Sequence, residues 1–300
     1  MSWWENGTVN ANELRVIGMS RSGNHAVIGW VMRQAAGRTC LLNCVQGKSN
    51  PYLTPRPVAP GDGERGYANY GDFDLESERR GVFSRKDWLV FSHEDDFLGN
   101  ACAESFERRH DEFVGPSARR RDVLILRDPF NLFASRRRAG YGTVSEATAV
   151  RIWKQHAREF LGRTRWLRRE PVFVSYNRWV TDPSYRRRLA EDLGLEFTDA
   201  GVDAVARCAG GSSFDGLAYD GRASRMKVFD RWAWYRDDPT FRSLFDEEVV
   251  ALSEPIFGPP PALRLGNEAT VRPRPTRHRR TAPAVRDGSP RGAVRGTRAR

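Results

Sequence analysis

A chain of 300 residues and 34.1 kDa can bury a substantial core, which excludes a peptide or a small disulfide-stapled scaffold. Its 39% apolar and 29% charged residues are ordinary for a globular protein, and no apolar run nears the roughly 20 residues that cross a bilayer. The net charge of +11 is concentrated: residues 266–300 hold ten arginines against two carboxylates, net +8, leaving only +3 on the first 265 residues, too balanced for a nucleic-acid-binding body.

The first fifteen residues lack the basic stretch and apolar core of a secretory signal, so a cytoplasmic location is expected. Residues 14–19 (LRVIGM) predict a buried strand, and Val27, Trp30, Val31 and Ala35 recur at helical spacing over 26–36 before Gly37. A second strand is expected at 39–45. Residues 46–81, rich in Gly, Pro, Asn and Asp, form a connection long enough to serve as a binding loop or lid. Three more short apolar runs predict strands at 88–92 (WLVFS), 123–126 (VLIL) and 172–175 (VFVS). Between the last two, residues 145–169 carry Ala149, Ile152, Trp153, His156, Phe160 and Leu167 on one face of a long amphipathic helix. Asp182-Pro183 and Asp238-Pro239 each read as an N-cap followed by proline at the first helical position; the first of these helices closes at Gly194, the second before Pro255.

Strands alternating with helices predict an α/β fold: a single P-loop-like domain over residues 1–265, with a central, largely parallel five-stranded sheet flanked by helices. In such sheets ligands bind beyond the carboxyl ends of the strands. Residues 266–300, with four prolines and no aromatic residue, cannot build a core and read as a disordered tail. Cys40, Cys44, Cys102 and Cys208 have neither zinc-site nor redox spacing and are expected to be buried thiols, so no metal is implied.

Two windows carry chemistry. Gly18-Met19-Ser20-Arg21-Ser22-Gly23-Asn24-His25 joins the first strand to the first helix, and its two glycines have the GxxxxG spacing of a phosphate-binding loop. Unpaired N–H groups and the helix dipole favour an oxyanion there. Asn24-His25 replaces the Lys-Ser/Thr pair that serves Mg²⁺-triphosphate, so the loop suits a phosphate-like group whose cation is Arg21. The second window, Leu126-Arg127-Asp128-Pro129, follows the fourth strand, at the same sheet edge. If Pro129 opens a helix, Ser135 lies roughly 9 Å along its axis, where its hydroxyl and the Arg127 fork can converge on one terminal phosphate. Each window taken alone also reads as a plain strand-to-helix junction, the second followed by a solvated arginine run, Arg136-Arg137-Arg138.

Together, in this order, the windows resemble the sulfotransferases that use 3′-phosphoadenosine 5′-phosphosulfate (PAPS). The resemblance implies that Arg21-Ser22-Gly23-Asn24-His25 cradles the 5′-phosphosulfate and that Arg127 and Ser135 bind the 3′-phosphate. It continues through Val174-Ser175-Tyr176, Asp182-Pro183 and Leu193-Gly194-Leu195 to Phe229-Asp230-Arg231-Trp232, most of residues 14–257. The family's Arg-Lys-Gly clamp on the 3′-phosphate has its nearest match in Arg225-Met226-Lys227, which makes Arg225 and Lys227 candidate contacts. Where the family has two threonines and an adenine-stacking aromatic, this chain has Asn24, His25 and Ala26, so the adenine contact is unassigned.

The implied chemistry is in-line sulfuryl transfer from PAPS to a hydroxyl of a glycan, lipid or small molecule, with Arg21 stabilising the leaving phosphate. His93, in a Ser92-His93 context that resembles the family's catalytic histidine, is the first candidate base; Glu94 is second and His25 third. His156 reads as a core histidine, and His110 and His278 as solvated. The 46–81 loop and the helix from Ser145 are the candidate acceptor walls. A P-loop nucleotide kinase or other nucleotide-dependent transferase, and a polyanion or nucleic-acid binder acting through the basic tail, are the alternatives.

Overall fold

The computed structural model describes residues 7–55, 73–140, 142–207 and 210–261. Cys208, the domain boundary at 265 and the tail at 266–300 lie outside the described residues. The five strands are β1 (Asn10–Gly18), β2 (Thr39–Leu42), β3 (Lys86–Glu94), β4 (Ser117–Leu126) and β5 (Val172–Ser175). They form one sheet in the order β2-β3-β1-β4-β5, and every pairing is parallel. Apolar, β-branched runs suit this arrangement because both faces are covered. On one face Leu14, Val16, Val90, Val123 and Val174 pack against α1 (Asn24–Gln34). On the other, Ile17 and Leu124 pack with Leu98 and Leu167, while Leu89 and Phe91 meet Phe106 and Val114.

Short helices α2 (Leu75–Arg79), α3 (Leu98–Ala101), α4 (Glu104–Arg108) and α5 (His110–Val114) precede β4. Beyond β4 come α6 (Pro129–Ala139), α7 (Glu146–Phe160), α8 (Tyr176–Thr181), α9 (Pro183–Leu193), α10 (Pro239–Arg242) and α11 (Glu247–Phe257). Asp182 and Asp238 cap their helices as their Asp-Pro pairs predict, and Asp128 caps α6 in the same way, each accepting backbone N–H bonds of the first turn.

The register sets the site. Gly18 pairs with Glu94, Ile17 with Leu124, and Leu126 with Ser175, so β1, β3, β4 and β5 all end at one edge. Chain leaving β1 runs toward β2, whereas chain leaving β4 runs toward β5. Adjacent strands with diverging exits open a crevice between them.

Three expectations change. The helix expected over 145–169 ends at Phe160: Gly162 turns the chain at φ +68°, and the Glu159 carboxylate accepts the backbone N–H groups of Trp166 and Leu167 at 2.9 and 3.0 Å. The helix expected from Asp238 to Pro255 is two helices, because Asp246 acts as a second N-cap through Val249 N–H at 2.9 Å. That second helix runs through Pro255, which leaves the Ala251 carbonyl without its helical donor; Ala251 is exposed, so water can take the donor's place. His110 is buried rather than solvated, held by Glu13 at 2.7 Å and Asp111 at 2.6 Å.

Candidate functional site

The loop after β1 is shaped by three local contacts. Ser22 N–H closes a turn on the Met19 carbonyl at 2.9 Å, Arg21 takes φ +72°, and Gly23 serves as N-cap of α1 at φ +92° with no side-chain cap. The first turn of α1 therefore has no capping side chain, an arrangement that suits an oxyanion. Asn24 staples the turn: its amide N–H groups reach the Met19 carbonyl at 3.3 Å and Glu94 Oε1 at 3.1 Å, while its oxygen accepts from the Ser22 hydroxyl at 2.7 Å. A Cβ at Gly18 would lie 2.0 Å from Asn24 Oδ1, and one at Gly23 would lie 2.2 Å from the Tyr176 ring. Asp95 holds the loop from below, accepting from Ser20 N–H at 3.0 Å and Arg136 Nη1 at 2.6 Å. Arg136 is thus a buried ion-pair partner, and Arg137 pairs with Glu146 and Asp238; the arginine run is not simply a solvated face.

Arg127, 2% exposed at the end of β4, spans the crevice. Its Nη1 donates to the Arg21 carbonyl at 3.0 Å and to Ser135 Oγ at 3.2 Å, and its Nη2 to the Val228 carbonyl at 2.8 Å. A second guanidinium, Arg231, reaches the same Ser135 hydroxyl at 3.1 Å through Nη1. Burial, then the neighbouring Arg127 charge, pushes Arg231 down to about 10. Both Nε–H groups are buried with no hydrogen-bond partner among the described residues. Arg225 and Lys227 are exposed and absent from the cavity wall, although Met226 between them lines it.

A cavity of about 510 Å³ occupies the crevice, a size typical of ligand sites, and Arg21, Gly23, Asn24, His25, Glu94, Arg127 and Arg231 line it. Tyr176 and Trp179, stacked at 5.9 Å, form an aromatic wall continued by Val180, Val202 and Val205. Ser22 and Ser135 are buried behind this surface. A second cavity of about 380 Å³ shares Cys44, Glu94 and Thr143 with the first and extends to Gln46, Lys48 and Asp96.

The two leading base candidates separate by strand alternation. β3 extends to Glu94, so Glu94 turns to the crevice while His93 turns the other way, its ring edge-on to Phe91 at 5.9 Å. His93 is 4% exposed and lines neither cavity, and burial with the nearby Arg15 charge lowers it to about 3. Glu94 lines both cavities, its Oε1 3.9 Å from His25 Nε2, which in turn contacts Asn43 at 3.1 Å. His156 is fully buried, with Nε2 on the Asp96 carbonyl at 3.0 Å.

Sequence reasoning missed Arg231 as a site residue. Its segment, a 3-10 turn at Arg231–Trp234, has no periodicity to mark it, and only its distance from Arg127 along the chain conceals that the two share a hydroxyl.

No protein-family model matches the sequence, and no curated protein is detectably similar to it. Among solved structures, the chain is similar to the sulfotransferase domain of an olefin synthase from Synechococcus PCC 7002, at 14% identity and a TM-score of 0.43, over 85% of this chain and 98% of that one. It is also similar to the mouse sulfotransferase SULT7A1 complexed with PAP, at 12% identity and a TM-score of 0.41, over 79% of this chain and 83% of that one. Overlaps this loose leave the activity to be argued from the site itself. Among the described residues no helix is long and apolar enough to cross a membrane.

Proposed function

We propose that the protein transfers a sulfuryl group from PAPS to a hydroxyl acceptor. One observation carries the reading: the Arg21 carbonyl of the glycine loop accepts a hydrogen bond from Arg127 at 3.0 Å, so the two anion-binding windows face one cavity. The residues also suit the donor chemically. The loop and the α1 N-terminus favour a phosphosulfate, the buried, unpartnered Nε–H groups of Arg127 and Arg231 suit a second phosphate, and the aromatic wall suits a purine. A kinase reading lacks the lysine and the hydroxyl after Gly23, where Asn24 and His25 stand.

The donor supplies a sulfur whose bond to the 5′-phosphate oxygen breaks as the acceptor oxygen bonds to it. Arg21 and the loop N–H groups stabilise the charge that grows on the departing phosphate. Glu94, common to both cavities, takes the acceptor's proton; the second cavity gives the acceptor its approach. Asn24 orients that carboxylate from 3.1 Å. The tests are a thermal shift with adenosine 3′,5′-bisphosphate and a screen of hydroxylated glycans, lipids and phenols with labelled PAPS. A melting curve unmoved by millimolar bisphosphate refutes the reading.

A further inference from the structure

Around Ser135 the charges do not balance. Two buried guanidiniums donate to one hydroxyl; Arg231 has Asp215 as a counter-ion at 3.1 Å, and Arg127 has no ion-pair partner among the described residues. Burying a cation without a matching anion is costly. The Asp215 carboxylate belongs to a small closed loop, pinned where Ser212 and Gly216 exchange two backbone hydrogen bonds at 2.9 Å. Ser212 Oγ donates to Asp215 at 2.9 Å and accepts from Arg231 Nη2 at 2.8 Å. The same loop reaches the other anion site, for the Gly211 carbonyl accepts from Arg21 Nη1 at 2.9 Å.

We propose that Arg231 and Asp215 form an exchange pair that makes a terminal phosphate dianion a condition of tight nucleotide binding. This inference rests on the sulfuryl-donor reading and deepens it by naming what the site rejects. A phosphate dianion meets two guanidinium forks and displaces Asp215 from Arg231, leaving the carboxylate, on its partly exposed loop, to solvent. A ribose 3′-hydroxyl carries no charge with which to displace Asp215, so a nucleotide without the terminal phosphate leaves Arg127 unneutralised. Asp215 thus sets a threshold: it weakens every anion at this position, while discrimination against an uncharged group comes from the Arg127 and Arg231 guanidiniums.

The test is calorimetric titration of the full-length protein with adenosine 3′,5′-bisphosphate and with AMP. Wild type is expected to prefer the bisphosphate by at least about 10- to 100-fold, the range for a charged hydrogen bond gained or lost. Asp215→Asn should tighten bisphosphate binding several-fold while AMP changes by less than about twofold; Arg231→Gln should bring the preference below about tenfold. Wild type that binds neither nucleotide overturns the donor reading and this inference with it. Wild type that prefers the bisphosphate, with Asp215→Asn no tighter or Arg231→Gln equally selective, overturns the inference alone. If Arg231→Gln does not fold, the Asp215→Asn result decides by itself.

Discussion

Replacing Arg127 with Met probes the crevice most directly. The thioether keeps the unbranched stem against the Tyr176 ring, over which the guanidinium sits at 5.2 Å, but removes three donated hydrogen bonds and a charge. If the fork holds a terminal phosphate through two charged hydrogen bonds, each contributing about 1.5–3 kcal/mol, affinity for adenosine 3′,5′-bisphosphate falls by about 3–6 kcal/mol, or roughly 10²- to 10⁴-fold. Stability moves less. The Arg21 and Val228 carbonyls lose donors at about 1–3 kcal/mol each, offset by removal of an uncompensated buried charge beside Arg231, for a net loss of about 2 kcal/mol. For a domain of this size that lowers Tm by about 4–8 °C. Calorimetry and thermal melts read both quantities, and Arg127→Lys, which keeps the charge without the fork, should fall between wild type and Arg127→Met. A folded Arg127→Met that binds the bisphosphate within threefold of wild type refutes the assignment.

Glu94→Gln should lower kcat by about 10²- to 10⁴-fold with little change in bisphosphate affinity, whereas His93→Gln should leave kcat within a few-fold; the reverse ranking in steady-state assays would return the base role to His93. Gly23→Ala places a Cβ 2.2 Å from Tyr176 at φ +92°, so backbone strain and overpacking together should cost about 2–4 kcal/mol in urea unfolding, and a neutral outcome would mean that the loop is not held as described. Burial holds His93 at about 3 and His156 at about 4, below their ordinary 6.5. The unfolded chain therefore binds more protons than the native one as pH falls from 6.5 toward 4, and each histidine removes about 1.4 kcal/mol of stability per pH unit over that window. His93→Gln should flatten this acid slope by one histidine's share in melts between pH 7.5 and 5, and an unchanged slope would contradict the buried, neutral state of the ring.

Local physics made much of this protein legible. The five apolar runs became the five strands because parallel strands covered on both faces need continuous Val, Ile and Leu, and Asp182-Pro183 and Asp128-Pro129 start helices because an aspartate cap and a proline act on the next few residues alone. The glycine loop could be read for the same reason: spacing, turn and helix start lie within eight residues. What the sequence could not decide was which neighbours a fold brings together. His93 and Glu94 are adjacent in the chain, and their facing depends on how far β3 extends before the chain turns. Arg231, more than eighty residues beyond Arg127, enters the crevice with Asp215 as its ion-pair partner only because the segment after α9 returns to the sheet edge. Arg225 and Lys227, chosen by their nearness to a familiar pattern, point outward. A cation's role depends on what surrounds it, and across those separations burial and counter-charge are properties of the packed chain, with no local pattern to record them.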